Sequence, residues 1–402
     1  MHIGIIGAGP AGIMASLEAK KGNHDVDLFD ANGLIGRKLR ATGSGRGNLS
    51  NMFANAEIYH GGDYRFVHKI LKQYAPEDLR GDLLDLGIPT YATHDGWVYP
   101  ITHSAANVSE ILAAHLEKED IVTHLEHEVI QIKQSEQKFV LSGNDFECSD
   151  FDRIVVAAGG KAQPGLGGKD SILNSLKALG QPVKSVFPAL APILTHSKPF
   201  SKIQGVRLDA RVKLISGERI IGKSLGNIIF TKWGINGPGV MDISYLIAEN
   251  QEQNLFLSIN FIPKKEDELT ELWMKFKEEA YPINALLNGY LPPRLTSFIL
   301  GKLKVSKNSI CRDISQKTFK NIWKMITSLN VKVEGVRGFE YCQVSTGGVE
   351  INQVNSESLE SKIIEGMFFA GEILDIHGPC GGYNLQWAFS SGVIAGRYVS
   401  RI

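Results

Sequence analysis

Residues 1–31 read MHIGIIGAGPAGIMASLEAKKGNHDVDLFDA, and the fold follows from how this stretch is read. Residues 3–6 are a short apolar run next to glycine, the pattern of a strand buried on both faces of a parallel sheet. Residues 10–21 are helical in composition, with Pro10 suited to a first turn and Gly22 to a stop. Residues 26–29 form a second apolar strand, so about 30 residues make one βαβ unit. Gly7-Ala8-Gly9-Pro10-Ala11-Gly12 fits GxGxxG between the first strand and the helix. In that context the pattern predicts a dinucleotide site. Gly7 admits the tight turn, Gly9 lets backbone N–H groups approach a pyrophosphate, and Gly12 lets helix and strand pack closely. The helix start presents partial positive charge to the phosphates. Asp30 ends the second strand, 18 residues past Gly12. Its carboxylate can accept hydrogen bonds from ribose hydroxyls and would repel a 2′-phosphate.

A second glycine-rich helix start lies far along the chain. Residues 366–370 read as a buried strand that runs into Glu372 and Asp375, and Gly381-Gly382-Tyr383-Asn384 opens a helix predicted over 383–399. NAD alone would not need this segment. FAD is longer and offers a second electron-poor or anionic part, the ribityl chain and the pyrimidine side of the flavin, which a helix start stabilises when reduced. The spacing Ala388, Gly392, Gly396 puts small residues on one face, which is expected to pack against the sheet.

Between these ends, helices are expected at 65–74, 105–117 and 171–179. A polar-alternating β-meander is expected over 128–134, 138–142 and 145–149. A buried strand at 153–158 runs into Gly159-Gly160. From 188 to about 260 the chain turns to short strands, among them 206–215 and 227–231, which suggests a separate β-rich domain. From 263 to 330 apolar and charged residues recur at helical spacing, as in Leu269, Leu272, Trp273 and Phe276, an aromatic stripe read as core. Strand character returns at 332–344.

The chain has 402 residues, with 43 basic and 43 acidic side chains. Zero net charge gives no electrostatic reason to expect a nucleic-acid or membrane-surface partner. Cys148, Cys311, Cys342 and Cys380 include no CxxC pair, so no metal site is expected. No leader or bilayer-length apolar run is read, and the expectation is a soluble, cytoplasmic protein.

Seven stretches carry a family resemblance: GIIGAGPAG (4–12), GRKLRATGSGRGNLSN (36–51), DGWVYP (95–100), VVAAGGKAQPGLGG (155–168), FTKWGINGP (230–238), STGGV (345–349) and AGEILDIHGPCGGYNLQWAFSSGVIAG (370–396). With these the chain resembles the bacterial NAD(P)/FAD-dependent flavoproteins that include aminoacetone oxidase and the dehydro-bile-acid reductases. The resemblance implies an α/β fold: a two-part, glutathione-reductase-like Rossmann FAD domain with an inserted β-barrel-like domain and a helical subdomain. The boundaries are then 1–187 and 344–402 for the FAD domain, 188–262 and 331–343 for the β-rich substrate domain, and 263–330 for the helical subdomain. Three positions depart from the family pattern. Gly47 stands where its loop usually has Cys, and Lys232 and Asn236 stand at the His and Ser of its barrel motif. Residues 358–362 resemble the family's TMESK and are read as structural.

The expected cofactor-binding set is Gly7, Gly9, Pro10, Ala11, Gly12, Asp30, Ala31, Arg37, Lys38, Gly43, Ser44, Gly45, Asn48, Val129, Ala158, Gly159, Gly160, Gly371, Glu372, Asp375, Gly381, Gly382, Tyr383 and Asn384. Ser44 and Asn48 are placed to hydrogen-bond the ring or ribityl oxygens, with Arg46 holding that loop by pairing with a carboxylate. Val129 can offer backbone hydrogen bonds to adenine, and similarity puts Gly159-Gly160 near the adenosine or pyrophosphate. His377 is a candidate acid or base, or a loop histidine. Cys380 is a candidate thiol nucleophile, or a small buried thiol. Lys232 is a candidate anion-binding group, or a surface lysine.

The expected function is an FAD-dependent oxidoreductase that moves hydride between a small organic substrate and the flavin, with NAD(P)H as a transient donor. No second strand–GxGxxG–helix unit is found for that nucleotide. The alternatives are an amine oxidase that uses dioxygen and, in another class, a flavin-containing RNA-modifying or regulatory protein. The sequence leaves the oligomeric state open.

Overall fold

The βαβ unit forms as the pattern predicts. The computed structural model describes residues 1–135, 137–196, 198–250 and 254–401. In it, β1 (His2–Ile6), α1 (Pro10–Lys20) and β2 (Asp25–Phe29) follow in turn. Ile3, Ile5, Val26 and Leu28 are buried, and each such side chain contributes about 1.5–3 kcal/mol when it leaves water. Three more strands complete the sheet: β3 (Val122–His124), β4 (Arg153–Val156) and β5 (Met367–Phe369). Their order is β5-β4-β1-β2-β3, and every pairing is parallel. Strand β3 is too short and too exposed for its pattern to stand out in the sequence.

The chain divides into two compact units. The first spans Met1–Phe187 and Gln343–Ile402, the second Pro188–Cys342. The first unit holds the parallel sheet. It also holds the antiparallel meander Gln131–Ser135, Lys138–Ser142, Glu147–Phe151, and a small sheet of Ser50–Asn51, Trp97–Pro100 and Thr90–Ala92.

The last long helix, α2 (Tyr383–Val399), also belongs to the first unit. The helix lies against β4 and β5 of the sheet, as expected, and its Gly392 and Gly396 meet α1, a neighbour the sequence reading did not name. A Cβ on Gly392 would lie 2.3 Å from the Ala11 carbonyl oxygen, and one on Gly396 would lie 2.6 Å from that of Ala15. The backbones therefore touch. Ala11 opposes Gly392 and Ala15 opposes Gly396, so the helices run parallel.

In the second unit, six strands close a barrel in the order Ile193–Thr195, Gly234–Asn236, Arg219–Phe230, Arg207–Ser216, Leu255–Asn260, Leu329–Val336. Helices Glu266–Phe276, Ile283–Asn288, Pro293–Lys302 and Gln316–Thr327 lie between the last two of these strands in sequence. The aromatic stripe is core, as read: Leu269 and Trp273 are buried, and Trp273 stacks on Phe319 with centroids 4.0 Å apart. Among the described residues no helix is long and apolar enough to cross a membrane, and no group of three or more His, Cys, Asp or Glu could hold a metal ion.

The α1–α2 contact gives a direct test. Gly392→Ala forces backbone apart, and overpacking of this kind costs about 1–3 kcal/mol, more than the roughly 1 kcal/mol alanine returns in a helix. Thermal unfolding should shift down by several degrees. Gly81→Ala falls at an exposed position of the helix Pro76–Asp85, with open space around its Cβ, and should leave the midpoint unchanged or raise it. Equal midpoints for Gly392→Ala and wild type would refute the contact.

Candidate functional site

The turn between β1 and α1 separates its three glycines by role. A Cβ on Gly7 would lie 2.3 Å from the Ala157 carbonyl oxygen, and one on Gly12 would lie 1.8 Å from that of Gly7. Both are packing positions. A Cβ on Gly9 would meet nothing within 4 Å, so the chain leaves space in front of this residue. Gly9 is also the N-cap of α1, with no side-chain cap and with Pro10 in the first turn. The first N–H groups of α1 thus open onto a bare surface.

Asp30 fixes this turn. One carboxylate oxygen accepts the Ala8 N–H at 2.6 Å, and the other accepts from the Asn32 backbone and side chain at 2.7 and 2.8 Å. Oδ1 is thereby filled, and Oδ2 keeps one lone pair for a further donor. The Asp30 carbonyl takes the His127 N–H at 2.8 Å. That bond ties the segment leading to buried Val129 to the end of β2. Ala31 is half-buried in the same turn. Arg37 bridges the Asn32 side chain and the Gly165 carbonyl, both at 2.9 Å.

Beyond β4, Ala158, Gly159 and Gly160 are half-buried, and a Cβ on Gly159 would again meet nothing. Gly160 lies against Glu372, whose Oε1 would be 2.5 Å from its Cβ. Glu372 is held from two other segments. Lys38 Nζ donates to it at 2.9 Å, and the Ser345 N–H and hydroxyl donate at 2.8 and 2.9 Å. Gly371, just before it, would place a Cβ 3.0 Å from that of Ala11. Ser345 was missed as a site residue. It lies in the STGGV stretch, but nothing in its spacing announces a partner 27 residues away.

The second helix start is built from the glycine-rich loop. Gly382, the N-cap of α2, has a left-handed φ of 99°, and a Cβ there would sit 2.2 Å from the Ser50 carbonyl oxygen. The buried Asn48 carboxamide donates to the Ser50 carbonyl at 3.0 Å and accepts the Gly382 N–H at 3.3 Å. Asn51 Nδ2 donates to the Gly381 carbonyl at 3.0 Å. Gly43, Ser44 and Gly45 all take left-handed φ in the same loop, and space is open around Gly45. Arg46 does not pair with a carboxylate among the described residues. Its Nε donates to the Gly43 carbonyl at 3.3 Å, and its guanidinium lies over the Tyr99 ring.

Some predicted residues are occupied inside the fold. Asp375 is 3% exposed and accepts from Lys184 Nζ at 2.7 Å and the Gly347 N–H at 2.9 Å. Asn384 closes on the Gly378 N–H and carbonyl at 2.8 and 2.9 Å, and the Tyr383 carbonyl accepts from Tyr59 OH at 2.8 Å. Cys380 is half-buried, 3.9 Å from Gln343 Oε1. Lys232 belongs to the second unit, exposed on the turn between Arg219–Phe230 and Gly234–Asn236.

His377 is 2% exposed, and its backbone pairs with that of His60 at 2.8 and 3.1 Å. Burial, and then the neighbouring His60, push its pKa down to about 3. The ring is therefore neutral near pH 7, and no imidazolium is available as an acid.

The two bare helix starts face the same way. With Ala11 level with Gly392, α2 begins roughly eight residues, or about 12 Å, beyond the start of α1 at about 1.5 Å per residue. Residues 1–398 match the family described as HI0933-like protein Rossmann domain. The chain belongs to that family. It is 31% identical over 403 residues to a 3-dehydro-bile acid Δ(4,6)-reductase of Clostridium scindens, covering 98% of each chain. It is 27% identical to a ribosomal RNA dihydrouridine synthase of Escherichia coli, covering 96% of this chain and 95% of the other. Among solved structures, its fold is similar to a 3-ketosteroid Δ4-(5α)-dehydrogenase from Rhodococcus jostii, with TM-score 0.53, 15% identity, and coverage of 100% and 96%. It is also similar to a 3-ketosteroid Δ1-dehydrogenase from Sterolibacterium denitrificans, with TM-score 0.55, 9% identity, and 99% of each chain covered. As a member of this family, the chain is an FAD-dependent oxidoreductase with a Rossmann-like FAD-binding fold.

Two variants separate ligand space from packing. Gly9→Ala has room and an ordinary φ, so the apoprotein should lose at most about 1 kcal/mol, while FAD affinity falls at least tenfold. Gly12→Ala should destabilise the apoprotein itself. Calorimetry of apoprotein and a flavin-fluorescence titration check both; an unchanged FAD affinity in Gly9→Ala would refute the assignment.

His377 gives a pH test. Its folded pKa lies below that of the unfolded chain, so protons bind the unfolded state first. Its stabilising effect is full above the ordinary imidazole range and is lost as pH falls toward 3. Between roughly pH 6 and 4 the loss approaches about 1.4 kcal/mol per pH unit. In urea titrations across that window, His377→Asn should show a slope shallower by about that amount.

Proposed function

We propose that this chain reduces a carbon–carbon double bond conjugated to a carbonyl group in a small organic substrate, with NAD(P)H as electron donor. The observation that carries the reading is the pair of bare, co-directed helix starts, offset by about 12 Å along the axis. An elongated dinucleotide suits that spacing better than a compact one. The residues present fit FAD: Gly9 leaves open space, and Asp30 Oδ2 keeps one free lone pair.

In this reading Gly7, Gly9, Pro10, Ala11 and Gly12 hold the pyrophosphate, and Asp30 with Ala31 holds the adenosine ribose. Val129, Arg37 and Ala158–Gly160 border the adenosine part. Lys38, Glu372 and Gly371 border the ribityl chain, with Ser345 fixing Glu372. Gly43, Ser44, Gly45, Asn48, Gly381 and Gly382 border the ring. Asp375, Tyr383 and Asn384 act through the backbone they hold. When bound, FAD supplies two-electron hydride chemistry at N5.

Reduction of the substrate adds a hydride to the carbon β to the carbonyl and a proton to the α carbon. NAD(P)H supplies the two electrons and leaves as NAD(P)⁺. The proton does not come from an imidazolium at His377, which burial keeps neutral. Cys380, beside the Gly381 turn, remains the candidate reactive group of the first unit, and Lys232 lies in the second. With no second GxGxxG unit in the sequence, the nicotinamide would visit without a Rossmann domain of its own.

The relatives' names support the reaction class. A Δ(4,6)-reductase and a dihydrouridine synthase both saturate a double bond conjugated to a carbonyl. The second name also supports a second reading, reduction of uracil in RNA. The zero net charge favours the small substrate, since RNA binding draws on clustered cations.

Anaerobic mixing with NADH and NADPH tests the reading. Holoenzyme absorbance at 450 nm should bleach with at least one of them, and an enone should restore it. Absorbance unchanged by either nucleotide would overturn the reductase.

A further inference from the structure

The solvent side of the barrel departs from the pattern expected of it. An antiparallel sheet with one face in a core alternates apolar-in and polar-out along each strand. The inward set follows that rule: Ala210, Val212 and Leu214, then Leu255, Leu257 and Ile259, are buried. The outward set does not. Register places Ile220 opposite Ile215, Ile215 opposite Phe256, and Phe256 opposite Lys332. A register shift leaves Ile221 unpaired and puts Ile220 on the outer side with Ile215. This row crosses four strands, a width of about 14 Å. Ile220 is 46% exposed and Phe256 38%. The next outward row reads Lys223, Lys213, Ser258, Asn330. Leu225, 57% exposed, follows in the third row, opposite Arg211.

The cations of this face are not compensated. Lys213 and Lys223 lie directly opposite each other, a placement that destabilises a sheet when the charges are alike. The acids nearby are engaged elsewhere. Asp209 accepts from the Asn227 amide at 3.1 Å, Glu266 accepts from the Asn260 amide at 2.6 Å and lies 3.9 Å from Arg211, and Glu334 lies 3.6 Å from His196. One further acid, Glu218, sits in the turn beside Arg219. Among the described residues no ion pair reaches Lys213, Lys223, Arg219 or Lys332. The zero net charge of the chain conceals this surface: basic side chains outnumber acidic ones over residues 188–342, and the reverse holds in the rest of the sequence.

Exposed aliphatic side chains rimmed by cations narrow the occupant. A second copy packed face to face would set these lysines against themselves. Single-stranded nucleic acid gains from aromatic rings that stack on bases, and this face offers aliphatic side chains and one phenylalanine. Lysine stems lie along apolar surface while their ammonium groups stay in water. That combination fits the boundary between acyl chains and anionic headgroups.

We propose that this barrel face is a docking surface for an anionic lipid bilayer. Ile220, Phe256 and Leu225 enter the headgroup boundary, and Lys213, Lys223 and Lys332 neutralise headgroups. The docking is peripheral, since among the described residues no helix is long and apolar enough to cross a membrane. The proposal concerns the second unit alone and is independent of the reading of the reaction.

Vesicle flotation of the FAD-loaded, full-length protein tests it, with phosphatidylcholine alone and with equal parts phosphatidylcholine and phosphatidylglycerol. Wild type should bind the anionic vesicles at least about tenfold more tightly than the neutral ones, and high salt should remove the preference. Lys213→Gln/Lys223→Gln should weaken anionic-vesicle binding by about thirtyfold, at about fivefold per cation near a charged surface. Ile220→Ser/Leu225→Ser should weaken it several-fold and leave the salt dependence in place. Lys317→Gln, at an exposed lysine of the helix Gln316–Thr327, should bind as wild type. Flavin content and thermal midpoint, measured for each variant, separate lost binding from lost fold. Equal binding to both vesicle types, a preference that survives Lys213→Gln/Lys223→Gln, or unchanged binding in Ile220→Ser/Leu225→Ser would overturn the docking surface. So would vesicle-free dimerisation, or RNA binding tighter than vesicle binding, that the lysine double variant abolishes.

Discussion

The first unit depends on backbone packed against backbone. Gly392 and Gly396 on α2 lie against the carbonyls of Ala11 and Ala15 on α1, where no Cβ could fit. This contact joins segments nearly 400 residues apart in the chain. It also fixes their direction, so both helices present their N–H ends on the same side. Side chains long enough to fill a normal helix–helix gap of about 8–10 Å would hold the two starts apart, and the cradle would lose its shape.

Around that contact the chain satisfies its own charges. Asp30 takes three donors from Ala8 and Asn32, Glu372 is held by Lys38 and Ser345, and Asp375 by Lys184 and Gly347. Arg37 reaches an amide oxygen and a carbonyl rather than a free surface. What remains for an anionic cofactor is mostly backbone: N–H groups at bare helix starts, oriented before any ligand arrives. Preorganised amides need little rearrangement on binding, and the acidic side chains position them. Arg46 is the exception, a cation held on an aromatic face without an acidic partner among the described residues.

Much of this was legible in the sequence because it is periodic or glycine-marked. The βαβ unit combines apolar runs with GxGxxG, and the helix Tyr383–Val399 was legible from Gly382 and its small-residue spacing. The barrel and the helical insertion showed as changes of pattern. Short or aperiodic features did not. Pro76–Asp85 is helical despite Gly81 and five charged residues in ten. The strand Trp97–Pro100 ends in proline. Long-range polar pairs such as Lys184–Asp375 leave no local trace. A histidine in a Gly-Pro turn reads as solvent-exposed, yet backbone pairing with His60 draws His377 inside. The stripe on α2 was legible as a close-packing face, but not as one directed at α1, because sequence spacing gives the face and not the neighbour.

The same arrangement couples cofactor binding to the integrity of a discontinuous unit. In the proposed reading the pyrophosphate end of the cradle is built from residues 7–30, and the ring end from residues 42–51 and 381–384. A ligand that bridges both holds the N-terminal and C-terminal segments together, and its binding free energy adds to the stability of the folded state. Residues 188–342 intervene in sequence without supplying any of these cradle residues. They can vary while the glycine contacts of the first unit stay fixed. Chemistry and specificity can then diverge within one family, as the reductase and synthase names of its members suggest. The backbone contacts at Ala11 and Ala15 tolerate no larger side chain, so they set the limit on that divergence.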